Sequence, residues 1–183
     1  SNTASKAVTV NPLPAVVANN DGPITCIKSS ITLTATSATA ISYAWSGPNG
    51  YSGTGATASP LATVQGQYTV TVTDENGCTA TASTTITQNI TPPTANAGAD
   101  VTVNCTNPSA TLTATGGTSY LWSTGANTAS ITVSPNMTTT YSVTVTGSNG
   151  CTAADAVIVT ANKTAPTAAV TANGNNCITE NAQ

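Results

Sequence analysis

The segment YTVTVTDENGC, Tyr68–Cys78, decides the fold. Tyr68, Val70 and Val72 fall on one face of an extended chain and Thr69, Thr71 and Thr73 on the other. This period of two predicts a strand with one buried face and one wet face, as in antiparallel sheets. Asn76-Gly77 then offers two residues that tolerate positive φ, so a tight hairpin is expected, with Cys78 opening the returning strand. The phrase recurs as YSVTVTGSNGC, Tyr141–Cys151.

The duplication extends outward in both directions. SITLTAT from Ser30 matches SATLTAT from Ser109, and SYAWS from Ser42 matches SYLWS from Ser119. Cys26 aligns with Cys105, Trp45 with Trp122 and Cys78 with Cys151. Self-similarity of this kind marks a repeat architecture. The second copy is shorter, mainly in loops such as GPNGYSGTG against STGAN, where length changes cost little. Each copy reads as about seven short strands with frequent turn signals, which predicts an immunoglobulin-like β-sandwich. In the first copy the strands are expected near Ala15–Val17, at Ile31–Thr36 and Ser42–Trp45, weakly between Tyr51 and Thr63, and at Tyr68–Thr73 and Cys78–Thr87. The last strand of the second copy is expected at Cys151–Thr160. Nothing has helical spacing.

Composition narrows the class. Only 5% of the 183 residues are charged, His, Arg and Phe are absent, and the net charge is −3. Three lysines cannot make a basic patch for nucleic acid. No apolar run reaches the ~18 residues of a membrane-spanning helix. The 39% hydrophobic content is largely Ala and Val, so each core is thin. The richness in Thr and Val opposes disorder and favours strands.

Five cysteines without any histidine point to disulfides and an oxidising, extracellular setting. One cysteine in each copy precedes the second strand and one begins the last. The expected pairs are therefore Cys26–Cys78 and Cys105–Cys151, each closing a loop of about 50 residues for roughly 4 kcal/mol in the chain-entropy model. Cys177 has no partner within the chain on this scheme. It is expected to pair within its own repeat beyond the sequence, the rival being an intermolecular bond.

Catalytic chemistry finds no support. A nucleophile–base pair cannot be built without histidine, and Asp74-Glu75 becomes Gly147-Ser148 in the second copy. No cofactor is expected. Asp74, Glu75, Asp100 and Asp155 are the available calcium ligands, but calcium wants several carboxylates together and these do not recur, so solvated turn residues are expected. Lys28 aligns with Asn107, which argues against a repeated isopeptide cross-link. Trp45 and Trp122 read as core fillers, the alternative being sugar-binding platforms. Asn89, Asn104, Asn136 and Asn162 stand in N-x-S/T sequons, common by chance in so Asn- and Thr-rich a chain.

The organisation expected is an extended rod. Residues 12–91 and 92–164 form one repeat each, residues 1–11 resemble the last strand of a preceding repeat, and 165–183 the start of a following one. The junctions NPLPAVV, NITPPTA and NKTAPTA are short and carry proline, which stiffens a linker. Each repeat should be roughly 35–45 Å long at ~3.3 Å per strand residue.

PTANAGADVTV, Pro93–Val103, resembles the opening of PKD-type immunoglobulin-like domains. YTVTVTDENGCTATA, Tyr68–Ala82, together with SYAWS, resembles the SprB-type repeat of giant bacterial surface adhesins. The resemblance spans essentially the whole chain. The first repeat departs from it, since PAVVANNDGPI, Pro14–Ile24, lacks the Ala-Gly-x-Asp run. The resemblance implies all-β tandem PKD-like sandwiches exported to the bacterial cell surface, acting as filament, stalk or adhesin, in some members in gliding motility. The expected function is thus a non-enzymatic structural segment whose partners are adjacent repeats of the same or neighbouring chains, and surface polysaccharide. The alternatives are a carbohydrate-binding module using exposed Trp, Tyr51 or Tyr120, a spacer beside an extracellular hydrolase, and a fibre subunit completed by strands from neighbouring chains.

Overall fold

The computed structural model describes residues 10–59 and 64–164. The first sandwich contains β1 (Val17–Asn20), β2 (Ile24–Thr25), β3 (Leu33–Thr36), β4 (Ala40–Ser46), β5 (Ser52–Thr54), β6 (Thr57–Ala58), β7 (Gly66–Asp74), β8 (Thr79–Ile86) and β9 (Gln88–Asn89). The second contains β10 (Val101–Asn104), β11 (Ala110–Thr113), β12 (Ser119–Trp122), β13 (Ser130–Val133), β14 (Thr139–Thr146) and β15 (Thr152–Asn162). Among the described residues the only helical turn is a single 3-10 turn at Pro48–Gly50.

In the first sandwich one sheet has the order β1-β3-β6 and the other β5-β4-β7-β8. In the second, β11 pairs with β13, Asn96 bridges to Thr115, and the facing sheet runs β10-β15-β14-β12. In the first sandwich β1, β3 and β6 face β4, β7 and β8, and in the second β11 and β13 face β12, β14 and β15, which is the immunoglobulin arrangement. The phrase at Tyr68 behaves as its period dictates: Tyr68, Val70 and Val72 are fully buried and the intervening threonines are partly exposed. Asp74 continues the buried face, and its carboxylate accepts hydrogen bonds from the turn amides of Asn76 (2.9 Å) and Cys78 (2.8 Å). A buried polar group is thereby satisfied.

Each sandwich has its own core. In the first, Ile31, Leu33 and Ala35 meet Trp45, Tyr68, Val70, Val72 and Ile86. In the second, Leu112, Ala114, Ile131 and Val133 meet Trp122, Val143, Val145, Val157 and Val159. Trp45 stands opposite Val70 across the antiparallel pair and Trp122 opposite Val143, the same register in both copies.

Two features differ from the sequence reading. The first strand begins at Val17, where the expected strand ended. Leading into it, Pro12 and Pro14 lack the amide hydrogens a ladder needs. Short parallel pairings also run along the last strand: β2 beside β9, and β10 beside β15. The alternation signal does not reveal them, because β2 has only two residues. They set the positions of the cysteines.

Candidate functional site at the junction of the sandwiches

Parallel pairing fixes which end of each sandwich a residue occupies. Thr25 pairs with Asn89, so Cys26, next in sequence, lies at the exit end of the first sandwich. Cys78 lies at the opposite end, just before β8 begins at Thr79. The eight residues of β8 separate these ends by about 26 Å. In the second copy Asn104 pairs with Asn162, so Cys105 lies at the exit and Cys151 at the entrance, roughly 35 Å apart along β15. A disulfide spans a Cα separation of only about 4.4–6.8 Å. The expected pairs Cys26–Cys78 and Cys105–Cys151 are therefore not formed.

Cys26 is instead bonded to Cys151, with Cα atoms 5.0 Å apart and a sequence separation of 125. The exit of one sandwich is joined covalently to the entrance of the next. Cys78 and Cys105 carry free thiols, Cys78 half-buried and Cys105 exposed. Cys177 lies outside the described residues, as do residues 1–9 and the rest of 165–183.

The turn ending β14 is the hub of this junction. Gly147 donates to the carbonyl of Cys151 at 2.9 Å and Gly150 to that of Gly147 at 3.0 Å. Asn149 caps the turn from within, its Oδ1 accepting from Cys151 N at 3.1 Å. It also reaches outward. Its carbonyl accepts from Cys26 N at 3.2 Å, and its Nδ2 donates to Asn89 Oδ1 at 3.0 Å and to the carbonyl of Thr91 at 2.9 Å. Gly150 has φ +76°, and a Cβ there would overlap the side chain of Ile27. The turn thus needs glycine for its backbone and again for the neighbour lying on it. The cleft beside it, about 470 Å³, is lined by Asn89, Thr91 and Pro93 from the linker, by Gly117 and by Asn149. Asn149 and Ile27 were not anticipated as contact residues, since Asn-Gly reads locally as a turn and nothing more. The available signal was Ile27, an apolar residue beside a cysteine.

Trp45 and Trp122 are both 2% exposed, and their Nε1 groups donate to the carbonyls of Gly55 and Thr128 at 3.1 Å. They are core residues, and the sugar-platform alternative does not hold for them. Tyr51 packs edge-on against Tyr68 with ring centroids 5.4 Å apart, and Tyr120 Oη donates to the carbonyl of Gly117 at 3.0 Å. Both rings are half-buried.

Among the acids, Asp74 is buried and Asp155 half-buried, unlike the solvated turn residues expected, whereas Glu75 and Asp100 are exposed. Besides Asp74, Asp155 Oδ2 accepts from Ala97 N and Asp100 Oδ1 from Ile158 N, both at 2.8 Å. The Ala97 amide, then that of Ala156, holds the Asp155 carboxyl below its ordinary value. Asp21 accepts from Thr32 N at 2.6 Å and pairs with Lys28 at 3.2 Å. The Thr32 amide is the main cause that lowers its pKa. Each of these carboxylates fastens backbone. Among the described residues no three His, Cys, Asp or Glu side chains converge as a metal site.

No family model matches the chain, and no curated protein does. Solved structures give weak likenesses. Carbohydrate-binding modules from the β-sandwich superfamily match at 14% identity and TM-score 0.38, over 76% of this chain and 57% of that one. Murine CEACAM1b matches at 13% and 0.37, over 82% and 100%. Sidekick-1 immunoglobulin domains 1–4 match at 15% and 0.32, over 74% and 47%. The chain thus spans little more than half the length of the first of these. The immunoglobulin-like sandwich is established by the strand order above, and such distant likenesses carry no argument about activity. No helix among the described residues is long and apolar enough to cross a membrane.

Proposed function

We propose that this chain is a structural, non-enzymatic segment of a secreted repeat filament or adhesin stalk on a bacterial cell surface. Its repeats stand end to end as a rod and transmit tension. The observation that carries this reading is the Cys26–Cys151 bond between consecutive sandwiches. Proline-bearing linkers and the resemblance to PKD-like and SprB-type repeats support it.

The mechanism follows from the path of the chain. Tension entering at the linker before β1 runs along β1 and β2 to Cys26. It crosses the disulfide to Cys151, continues along β15 and leaves at the next linker. Neighbouring strands hold β1 and β15 in shear, along β3, β14 and β10. The intervening residues, including both tryptophan cores, lie outside that covalent route. Pulling therefore does not draw out the chain between the two cysteines.

Small-angle scattering tests the rod. Two repeats of about 35–45 Å in series give a maximum dimension of at least roughly 70 Å for the repeat pair, retained in the oxidised protein. A pair folded side by side would contradict the proposal. Saturable binding of a glycan in the micromolar range would instead favour the carbohydrate-binding reading.

A further inference from the structure

We infer that Cys105 and Cys78 are the two open halves of the junction formed by Cys26 and Cys151, and that a second copy of this chain docks head to tail through them. Cys105 of one copy bonds to Cys78 of the next. The inference deepens the stalk reading and rests on its junction.

The exit turns match. Thr25 N donates to the carbonyl of Lys28 at 3.1 Å, and Lys28 N returns to Thr25 Oγ1 at 3.0 Å. Asn104 N donates to the carbonyl of Asn107 at 2.9 Å, and Asn107 N returns to Asn104 Oδ1 at 2.7 Å. Cys26 and Cys105 hold the same place in these turns, and both are exposed. The entrance turns match as well. Asp74 N donates to the carbonyl of Cys78 at 3.0 Å and Gly77 N to that of Asp74 at 3.1 Å, as Gly147 and Gly150 do in the second sandwich. Gly77 has φ +78°, the counterpart of Gly150.

The decisive difference is occupancy. Ile27 lies on Gly150, whereas a Cβ at Gly77 would meet no described residue within 4 Å. Among the described residues nothing covers the same turn of the first sandwich. Beside it lies a cleft of about 550 Å³, lined by Pro12, Leu13, Thr39 and Asp74–Asn76, the counterparts of the linker, loop and turn at the occupied junction. Leu13 on its rim is 71% exposed. The complementary exit is also present. Asn89-Ile90-Thr91, which receives Asn149, recurs as Asn162-Lys163-Thr164. Asn104–Pro108 carries no charge, so nothing on that turn opposes Asp74 or Glu75.

A low-molecular-weight disulfide such as oxidised glutathione supplies the oxidising equivalents. The Cys105 thiolate attacks it, forming a mixed disulfide and releasing one glutathione thiolate. The Cys78 thiolate of the second copy attacks Cys105 Sγ and releases the other. Two protein thiols become one disulfide, one oxidised glutathione becomes two glutathione thiols, and the two protons lost by the protein thiols are taken up by the glutathione thiolates.

The test is to incubate the full chain at high concentration with oxidised glutathione and map the cross-linked peptides. The inference predicts reductant-sensitive multiples of the chain in which Cys105–Cys78 is the dominant intermolecular bond. In a Cys177→Ser background, Cys105→Ser and Cys78→Ser each stay single, and mixed they give a two-chain product and nothing larger. Absence of multimers, Cys105 bonded chiefly to Cys177, or equal yields of Cys105–Cys105, Cys78–Cys78 and Cys105–Cys78 overturns it. The same digest reports Cys26–Cys151. Its absence sinks the stalk reading, while its presence without Cys105–Cys78 sinks only this inference.

Discussion

Cys26 and Cys151 lie 125 residues apart in sequence and 5.0 Å apart at their Cα atoms, and they bind the exit of one sandwich to the entrance of the next. A loop of that length removes more denatured-state freedom than either bond expected within a repeat. The chain-entropy model gives about 5 kcal/mol. Cys26→Ala or reduction should therefore lower the melting temperature of both sandwiches together. Cys26→Ala with Cys151→Ala should cost no more than the greater single effect, because both remove one bond. Cys78→Ala and Cys105→Ala should leave the monomer's melting curve nearly unchanged. Calorimetry on the four single variants and the double variant checks this.

Gly77 and Gly150 share a backbone conformation but differ in what covers them. Gly77→Ala should cost about 1–2 kcal/mol, the penalty of a side chain in the left-handed region. Gly150→Ala should cost that much and also displace Ile27 from the turn. Thermal unfolding of the two variants, with the rate of Cys26–Cys151 reduction as second readout, separates the effects. The bond should become easier to reduce only in Gly150→Ala.

Trp122 fills the second core and donates to Thr128 from its buried ring. Trp122→Ala should destabilise that sandwich by about 3–5 kcal/mol. Trp122→Phe should cost less, retaining apolar volume while losing the Nε1 hydrogen bond. Denaturant titration followed by Trp45 fluorescence in the variants, which reports the other sandwich, should show how far the junction couples the two.

Asp155 and Asp21 both have pKa values lowered in the folded state, chiefly by the amides of Ala97 and Thr32 respectively. A lowered folded value means that the unfolded chain binds protons first as pH falls. The stabilisation is fully present above the unfolded aspartate value of about 3.9 and is lost as pH falls through the lower folded values. Melting temperatures should be flat from neutral pH to about pH 5 and decline below pH 4. Asp155→Ala should be less stable at neutral pH and show a shallower acid decline.

Much of this architecture was legible in the sequence. The alternation at Tyr68–Thr73, the Asn-Gly turns and the paired tryptophans specify the buried faces, because they are local patterns with one physical solution each. The disulfide pairing was not legible. Cys26 and Cys78 look like neighbours when strands are simply counted. Only the two-residue pairing of Ile24 and Thr25 with Gln88 and Asn89 shows that they lie at opposite ends. Too short to leave a periodic signal, that pairing arises from tertiary packing. The roles of Asn149 and Ile27 were hidden for the same reason, since both act across the junction and not within their own turns.

Single-molecule stretching of the chain by its ends tests the central claim most directly. With Cys26 bonded to Cys151, the 125-residue separation is closed to extension, and at ~3.5 Å per residue reduction should release roughly 440 Å more contour length. The account predicts that the oxidised chain shows no unfolding step as long as a whole repeat and that both repeats extend after reduction. Two full repeat-length steps in the oxidised chain would contradict it.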